Sequence, residues 1–98
     1  MNYIWDEKKA SNNFLKLGIR FEEAQVIWAD LNALEFIDPF SPTEENRFIR
    51  VRLNPDRGII LVVYCERNDG ETIRIISARK TTTSERADYE EELRFKVT

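Results

Sequence analysis

The stretch IILVVYCERNDGETIRIISARK, residues 59–80, decides the fold of this chain of 98 residues. It begins with an unbroken apolar run, Ile59 to Cys65, which is typical of a central strand covered on both faces. Asn68-Asp69-Gly70 is a tight hairpin signal, and residues 71–80 follow as a second strand. In that strand, simple alternation places Ile73, Ile75 and Ser77 on one face and Arg74, Ile76 and Ala78 on the other. The stretch therefore predicts an antiparallel hairpin inside a sheet.

Upstream of this hairpin, side-chain character alternates with a period of two in two further segments. Residues 34–38 predict a strand that ends at Pro39, and residues 40–46 are typical of a loop. Residues 48–53 predict another strand, with Ile49, Val51 and Leu53 on one face and Phe48, Arg50 and Arg52 on the other. A turn at residues 54–58 joins this strand to the apolar run. The sequence therefore predicts three or four antiparallel strands joined by short connections.

Two short amphipathic helices are predicted before the strands. Asp6 is suited to cap the first helix, in which Ala10, Phe14 and Leu17 recur at helical spacing, and Gly18 ends it. The second helix is predicted to begin near Arg20. Its apolar stripe consists of Phe21, Ala24, Ile27, Trp28 and Leu31.

A third helix is predicted after the last strand. Thr82 and Glu85 fit a capping box, and the helix is expected to run through about Leu93 with Arg86 and Tyr89 on one side. Two helices, a run of strands and a final helix indicate an α+β fold, with helices laid on one face of a curved antiparallel sheet. No internal repeat or linker divides the sequence, so residues 1–98 are predicted to form one domain.

Composition excludes several kinds of chemistry. The chain has no histidine and one cysteine, Cys65, which excludes an intramolecular disulfide and leaves no adequate ligand set for zinc and similar metals. Serine–histidine and cysteine–histidine triads are excluded for the same reason. No segment reaches the ~20 apolar residues of a membrane span, and the first residues carry no secretion signal. We therefore expect a reduced, cytoplasmic protein with no cofactor, no metal and no contact with a membrane.

The formal net charge of −3 hides an uneven distribution. Residues 1–45 carry −5 and residues 87–98 carry −2, whereas residues 46–86 carry +4. A basic middle between acidic ends is consistent with an anion-binding face, but also with solvated strand faces that happen to be basic. Charge alone leaves both interpretations open.

Several motifs resemble the BrnT family of bacterial toxins. The first half carries Trp5-Asp6 with Lys9-Ala10 and Asn13, then Lys16-Leu17-Gly18 and FEEA at residues 21–24. The second half matches more closely, with VVYCER at 62–67, IRIISARK at 73–80, Glu85-Arg86 and Tyr89-Glu90. These motifs follow the order and spacing of the family pattern over nearly the whole chain.

The resemblance implies a RelE-like fold and a toxin of a type II toxin–antitoxin pair. Such toxins are ribonucleases that block translation. The implied partners are RNA and a BrnA-like antitoxin of the ribbon-helix-helix class. Operator DNA is expected to be bound only through that antitoxin.

The chemistry of RNA cleavage without a metal selects the candidate site residues. It requires proton transfer at the 2′-OH and at the 5′ oxygen, and cations that stabilise the charge building on the phosphate. The site is predicted to centre on Arg79 and Lys80 at the end of the last strand, with Tyr89 presented by the last helix. Glu66 and Arg67 are further catalytic candidates, although the hairpin places them towards its opposite end.

Three arginines are candidates for binding RNA phosphates, namely Arg74 on the last strand and Arg50 and Arg52 on the preceding one. Structural alternatives stay open for most of these residues. Glu66 and Arg67 could be a charged hairpin tip, and Arg74 could pair with Glu66 across the strands. Tyr89 could be a core aromatic, and Arg50 and Arg52 could line a solvated face or meet acidic antitoxin residues.

One departure from the family pattern leads to a second hypothesis. Where the family has Lys-His-Gly, this chain has Lys16-Leu17-Gly18, so any contribution of that histidine is absent. The alternative function is a catalytically weakened module that binds its antitoxin and modulates repression of their operon.

Overall fold

A computed structural model of the chain describes residues 2–25, 33–37, 47–54 and 58–97. Within these residues, three helices and a five-stranded mixed sheet confirm the α+β class. In chain order the elements are β1 (Asn2–Ile4), α1 (Glu7–Leu17), α2 (Phe21–Ala24), β2 (Leu34–Ile37), β3 (Arg47–Asn54), β4 (Gly58–Arg67), β5 (Thr72–Lys80) and α3 (Thr83–Val97).

The strands lie in the order β1-β5-β4-β3-β2. The three pairs from β2 to β5 are antiparallel, as predicted, but β1 is parallel to β5 and pairs Asn2 with Thr72. The prediction of a purely antiparallel sheet of three or four strands was therefore wrong at this edge. Three residues are too short to show a period of two, so β1 left no pattern in the sequence.

Strand β4 is the centre of the core, as its apolar run predicted. Ile60, Val62 and Tyr64 are fully buried in a cluster with residues of α1, α2 and β5. Leu61 points the other way, into a second cluster that contains Tyr89 of α3. Helices therefore cover this part of the sheet on both faces, and the prediction that they lie on one face was wrong because α3 packs on the side opposite to α1 and α2.

The turn between β4 and β5 also has the predicted form. Asn68, Asp69 and Gly70 all adopt positive φ angles, of 54°, 55° and 87°. Asparagine, aspartate and glycine tolerate this left-handed region better than other residues. The local sequence is thus sufficient to specify the hairpin.

A bulge changes which β5 side chains face the core. Val63 pairs with Ser77, but the next residue, Tyr64, pairs with Ile75, so Ile76 is an extra residue on β5. As a result Ile73, Ile75 and Ala78 share the core cluster below α1. The prediction that Ala78 lies opposite Ile73 and Ile75 was wrong because an inserted residue reverses the alternation.

Helix α1 begins and ends at the predicted residues. The Asp6 carboxylate accepts hydrogen bonds from the amides of Lys8 and Lys9, which also lower its pKa, with the Lys9 bond contributing most. Gly18 ends the helix in the left-handed conformation with a φ of 75°. Leu17, however, was predicted on the apolar stripe and is 47% exposed.

Asn13 is the buried polar residue on the inner face of α1. Its amide nitrogen donates to the carbonyl oxygens of Ile19 and Ala78, each at 2.9 Å, and its oxygen accepts from the Ala78 amide at 3.2 Å. Ala78 lies beyond the segment of β5 that β1 covers. One side chain therefore provides both hydrogen bonds that a longer β1 would have made.

Other predicted segments lie partly outside the described residues. Helix α2 is described only for Phe21–Ala24, so Ile27, Trp28 and Leu31 cannot be compared, nor can the loop at 40–46. Helix α3 runs to Val97, one turn beyond its predicted end at Leu93. In the part of the chain that the structure describes, no helix is long and apolar enough to cross a membrane.

We expect Asn13→Ala to lower the free energy of unfolding by about 3 kcal/mol, because the substitution strands a buried amide and a buried carbonyl of Ala78. Urea unfolding followed by circular dichroism measures this change. The matched control is Asn12→Ala, at an exposed position of the same helix, with an expected change below about 0.5 kcal/mol. Equal unfolding midpoints for the two variants would contradict the role assigned to Asn13.

Candidate functional site

Arg79 and Glu85 join the end of β5 to the first turn of α3. The Arg79 guanidinium makes two parallel hydrogen bonds to the carboxylate, of 2.8 and 2.9 Å. Glu85 also closes the predicted capping box. Its carboxylate accepts a hydrogen bond from the Thr82 amide at 2.8 Å, and the Glu85 amide donates one to the Thr82 hydroxyl at 3.2 Å. The same carboxylate therefore caps the helix and orients the arginine.

This pair has a clear electrostatic signature. The bonds from Arg79 and from the Thr82 amide lower the pKa of Glu85 from 4.5 to about 2. In turn, Glu85 raises the pKa of Arg79. Both groups are therefore charged at neutral pH, and Arg79 is held in one orientation by a bidentate contact.

Lys80 lies beside this pair in a cavity of about 270 Å³, which we call the junction cleft. Its lining consists of Gly58, Ile59, Lys80, Thr81, Thr82, Thr83 and Arg86. Lys80 is exposed, and Arg86 makes a surface ion pair with Glu90 at 3.1 Å. Two cations, three hydroxyl groups and the positive end of the α3 dipole thus surround one cleft, which suits it to an anion such as a phosphate.

The structure places Tyr89 in the core instead of at the surface. It is 4% exposed and packs in the cluster of Leu34, Val51 and Leu61. Its hydroxyl accepts a 2.8 Å hydrogen bond from the Arg52 guanidinium. The Tyr89 hydroxyl and the Arg52 guanidinium are therefore engaged with each other.

Arg50 is also directed into a contact within the protein. Its guanidinium lies 3.6 Å from the carboxylate of Glu35 on the neighbouring strand β2. The same carboxylate accepts a hydrogen bond from the buried hydroxyl of Tyr64, whose pKa is raised by burial and by this bond. The two β3 arginines predicted to form a phosphate track thus bind separate internal partners, Glu35 and Tyr89.

Glu66 and Arg67 lie at the other end of the hairpin. Arg67 pairs with Thr72 next to the turn, whereas Arg79 pairs with Leu61. Six residues of extended strand separate the two positions, which corresponds to roughly 20 Å. The structure therefore leaves Glu66 and Arg67 apart from Arg79 and Lys80, as the hairpin geometry indicated.

Arg74 occupies the middle of β5. It pairs with Cys65 on β4 and with Ile4 on β1, while Glu66 pairs with Ile73. Neighbouring positions point to opposite faces, so the cross-strand pair of Arg74 with Glu66 does not form. Its positive charge lies close enough to Asp6 to lower the pKa of that carboxyl slightly.

Sequence reasoning missed the contribution of Arg86 and the neighbouring threonines to this site. A signal was present, since the capping box fixes where α3 begins and places Arg86 one turn after Thr82. Glu35 was missed because its pairing with Arg50 depends on strand register. Among the described residues, no group of three or more cysteine or carboxylate side chains is arranged to hold a metal.

Comparisons with known proteins agree on one family. A family model described as "Ribonuclease toxin, BrnT, of type II toxin-antitoxin system" matches residues 5–85. Among solved structures, the chain is similar to the Brucella abortus ribonuclease toxin BrnT, with a TM-score of 0.65 and 27% sequence identity. That match covers 85% of this chain and 99% of the Brucella chain. A search of curated proteins gave no significant match.

The Arg79–Glu85 pair predicts how stability depends on pH. Because the pKa of Glu85 is lower in the folded protein, its contribution is complete above pH 4.5 and is lost as the pH falls towards 2. We expect Glu85→Gln to cost about 1 kcal/mol at pH 7, after allowance for partial exposure, and much less near pH 2. Denaturant unfolding at several pH values measures this difference.

Glu90→Gln is the matched control, since Glu90 makes an exposed ion pair on the same helix. Its cost should stay below about 0.5 kcal/mol. A Glu85→Gln cost that did not shrink between pH 7 and pH 2 would contradict the assigned ion pair.

Proposed function

This chain belongs to the BrnT family, the ribonuclease toxins of type II toxin–antitoxin systems, and we propose that it cleaves RNA at the junction cleft. The observation that carries this proposal is the junction cleft, where Lys80 and Arg86 lie together at the start of α3, next to the Arg79–Glu85 pair. Two of these residues, Arg79 and Lys80, also belong to the motif IRIISARK at 73–80. The function thus rests on the family, and its location rests on the geometry.

Binding of the RNA backbone would use the cations and dipoles of the cleft. Lys80 and Arg86 offer positive charge, and the Thr82 and Thr83 hydroxyls offer hydrogen bonds to phosphate oxygens, whereas the Thr81 hydroxyl donates to the Ile59 carbonyl. The start of α3 adds the partial positive charge of a helix N-terminus. This concentration of positive charge lets an acidic protein bind a polyanion locally, in spite of its net charge of −3.

The proposed reaction is a transesterification without a metal. The 2′-oxygen attacks the adjacent phosphorus and loses its proton, and the bond to the 5′ oxygen breaks as that oxygen gains a proton. Negative charge grows on the non-bridging oxygens between these events. Arg79 and Lys80 are proposed to stabilise this charge, with Glu85 holding the guanidinium of Arg79 in place.

The remaining sequence candidates receive different roles in this proposal. Tyr89 supports the position of α3 from the core, and Arg52 orients its hydroxyl. Glu66, Arg67, Arg74 and Arg50 lie outside the proposed centre.

The family implies an antitoxin partner. We propose that this partner is a BrnA-like ribbon-helix-helix protein and that it alone binds operator DNA. We also propose that RNA cleavage takes place in the cytoplasm and inhibits translation.

Lys80→Met tests the proposed centre, because it keeps most of the side-chain length and removes the charge. We expect the intact chain to arrest growth when expressed without antitoxin and to cleave RNA in the presence of EDTA. The variant should lose at least about a hundredfold in cleavage rate with an unchanged melting temperature. Lys8→Met, at an exposed position on α1, is the matched control and should cleave normally. Cleavage abolished by EDTA, or equal rates for the two variants, would refute this mechanism.

The alternative function, a weakened module that only binds its antitoxin, is favoured by Leu17. The Asn13 amide holds Ile19 against Ala78, so the end of α1 lies at the same end of β5 as Lys80. A histidine at position 17 would therefore lie towards the same end of β5 as the proposed centre. In this chain that position carries a side chain that is neither acidic nor basic.

Leu17→His distinguishes the two functions. Since Leu17 is half exposed, we expect the substitution to change the free energy of unfolding by less than about 0.5 kcal/mol. If the intact chain is an active ribonuclease, its cleavage rate should change by less than about tenfold, because Arg79 and Lys80 are already present. Cleavage detected only in Leu17→His, with antitoxin binding intact in both proteins, would support the weakened module.

A further inference from the structure

A second concave surface lies on the other side of the first turns of α3. It is a groove of about 380 Å³ between α3 and strands β2 to β4, which we call the acidic groove. Phe36, Ile37 and Ile49 contribute to its apolar floor, and Glu85, Asp88 and Glu91 contribute its charged groups. None of the lining residues that the structure describes is basic.

We infer that the acidic groove is the docking site of the antitoxin, and that the docked segment carries apolar side chains flanked by lysine or arginine. This inference rests on the proposed toxin function and adds to it the surface and the chemistry of the partner. The occupant is a protein segment supplied in trans, and the groove shares only Glu85 with the residues assigned to RNA cleavage.

Exposed apolar side chains support a partner at this position. Ile37 is 75% exposed and Phe36 is 48% exposed, and both lie on the short edge strand β2. No described strand pairs with the outer side of β2. Large apolar side chains beside an open edge strand are typical of a surface that another chain covers.

Charge selects the occupant of the groove. Asp88 and Glu91 are exposed acids, whereas the Glu85 carboxylate is already paired with Arg79. The carboxylates of Asp88 and Glu91 would repel an RNA backbone and attract basic side chains. A symmetric dimer formed through the groove would bring the acidic groups of two copies together, which is unfavourable. A segment from a different protein that carries both apolar and basic side chains would complement the apolar floor and the acidic side chains of the groove.

The position of Glu85 connects the groove to the junction cleft. Its carboxylate lines the groove and is bound to Arg79 and to the Thr82 amide, and Thr82 lines the cleft. A segment that fills the groove therefore lies within one helical turn of the proposed RNA site. This proximity gives the antitoxin a direct way to obstruct RNA.

The test measures antitoxin binding and growth arrest for Ile37→Lys and Asp88→Lys. We expect each variant to fold, to arrest growth without antitoxin as the intact chain does, and to bind the purified cognate antitoxin at least about tenfold more weakly. Co-expressed antitoxin should then fail to relieve the arrest. Added salt should weaken binding of the intact chain more than binding of Asp88→Lys.

Leu15→Lys and Glu71→Lys are the matched controls, because Leu15 is 79% exposed on α1 and Glu71 is an exposed acid beside the hairpin turn. Both should bind antitoxin normally. Unchanged antitoxin affinity in the groove variants would overturn the inference, and so would loss of arrest without antitoxin or a change in oligomeric state with Ile37→Lys. An intact chain that binds antitoxin at the groove but neither arrests growth nor cleaves RNA would refute the proposed function alone.

Discussion

This architecture depends on the hydrogen bonds that the side-chain amide of Asn13 makes with the backbone of Ala78 and Ile19. Strand β1 covers β5 only as far as Arg74, so the backbone of Ala78 would otherwise be left open at the edge of a buried layer. The side-chain amide of Asn13 has a nitrogen that donates and an oxygen that accepts, and both form hydrogen bonds with the backbone of Ala78. Because the amide also bonds Ile19, it fixes the chain that leaves α1 against the end of the sheet. The cost of burying these polar groups is thus offset by complete pairing.

The position of the functional residues follows from this anchor. With Ala78 fixed, Arg79 is directed to the opposite face, where it binds Glu85 and orients the start of α3. The first turns of this helix then separate two surfaces of different charge. Cations lie at the junction cleft and carboxylates lie at the acidic groove. The basic middle and acidic C-terminal segment of the sequence correspond to this arrangement, which the net charge conceals.

The parts of the fold that the sequence predicted are those with local causes. The Asp6 cap, the left-handed Gly18, the turn at Asn68 and the Thr82–Glu85 capping box each depend on neighbouring residues only. Their signals are complete within a few positions of the chain. Arg79 and Lys80 adjoin one of these features, because the capping box fixes where α3 begins directly after them.

The features that escaped prediction depend on contacts between distant segments. The burial of Tyr89 follows from how α3 packs on Leu34, Val51 and Leu61, and the engagement of Arg50 follows from the register of β2. Leu17 matched an apolar period, yet Asn13 takes the inner position of α1 because Ala78 requires its amide. Periodicity cannot distinguish a leucine at the margin of a helix face from one at its centre.

The extra residue at Ile76 divides β5 into two halves, and the alternation of side chains between the two faces of the sheet starts anew in the second half. Residues on the hairpin side keep their orientation from the turn, whereas Arg79 and Lys80 take theirs from the pairing beyond the bulge. A chain one residue shorter at this point would retain Ile73 and Ile75 in the core but would turn Ala78 away from α1 and Arg79 away from Glu85. The face of the sheet on which Arg79 meets α3 is thus set by one unpaired residue in the strand.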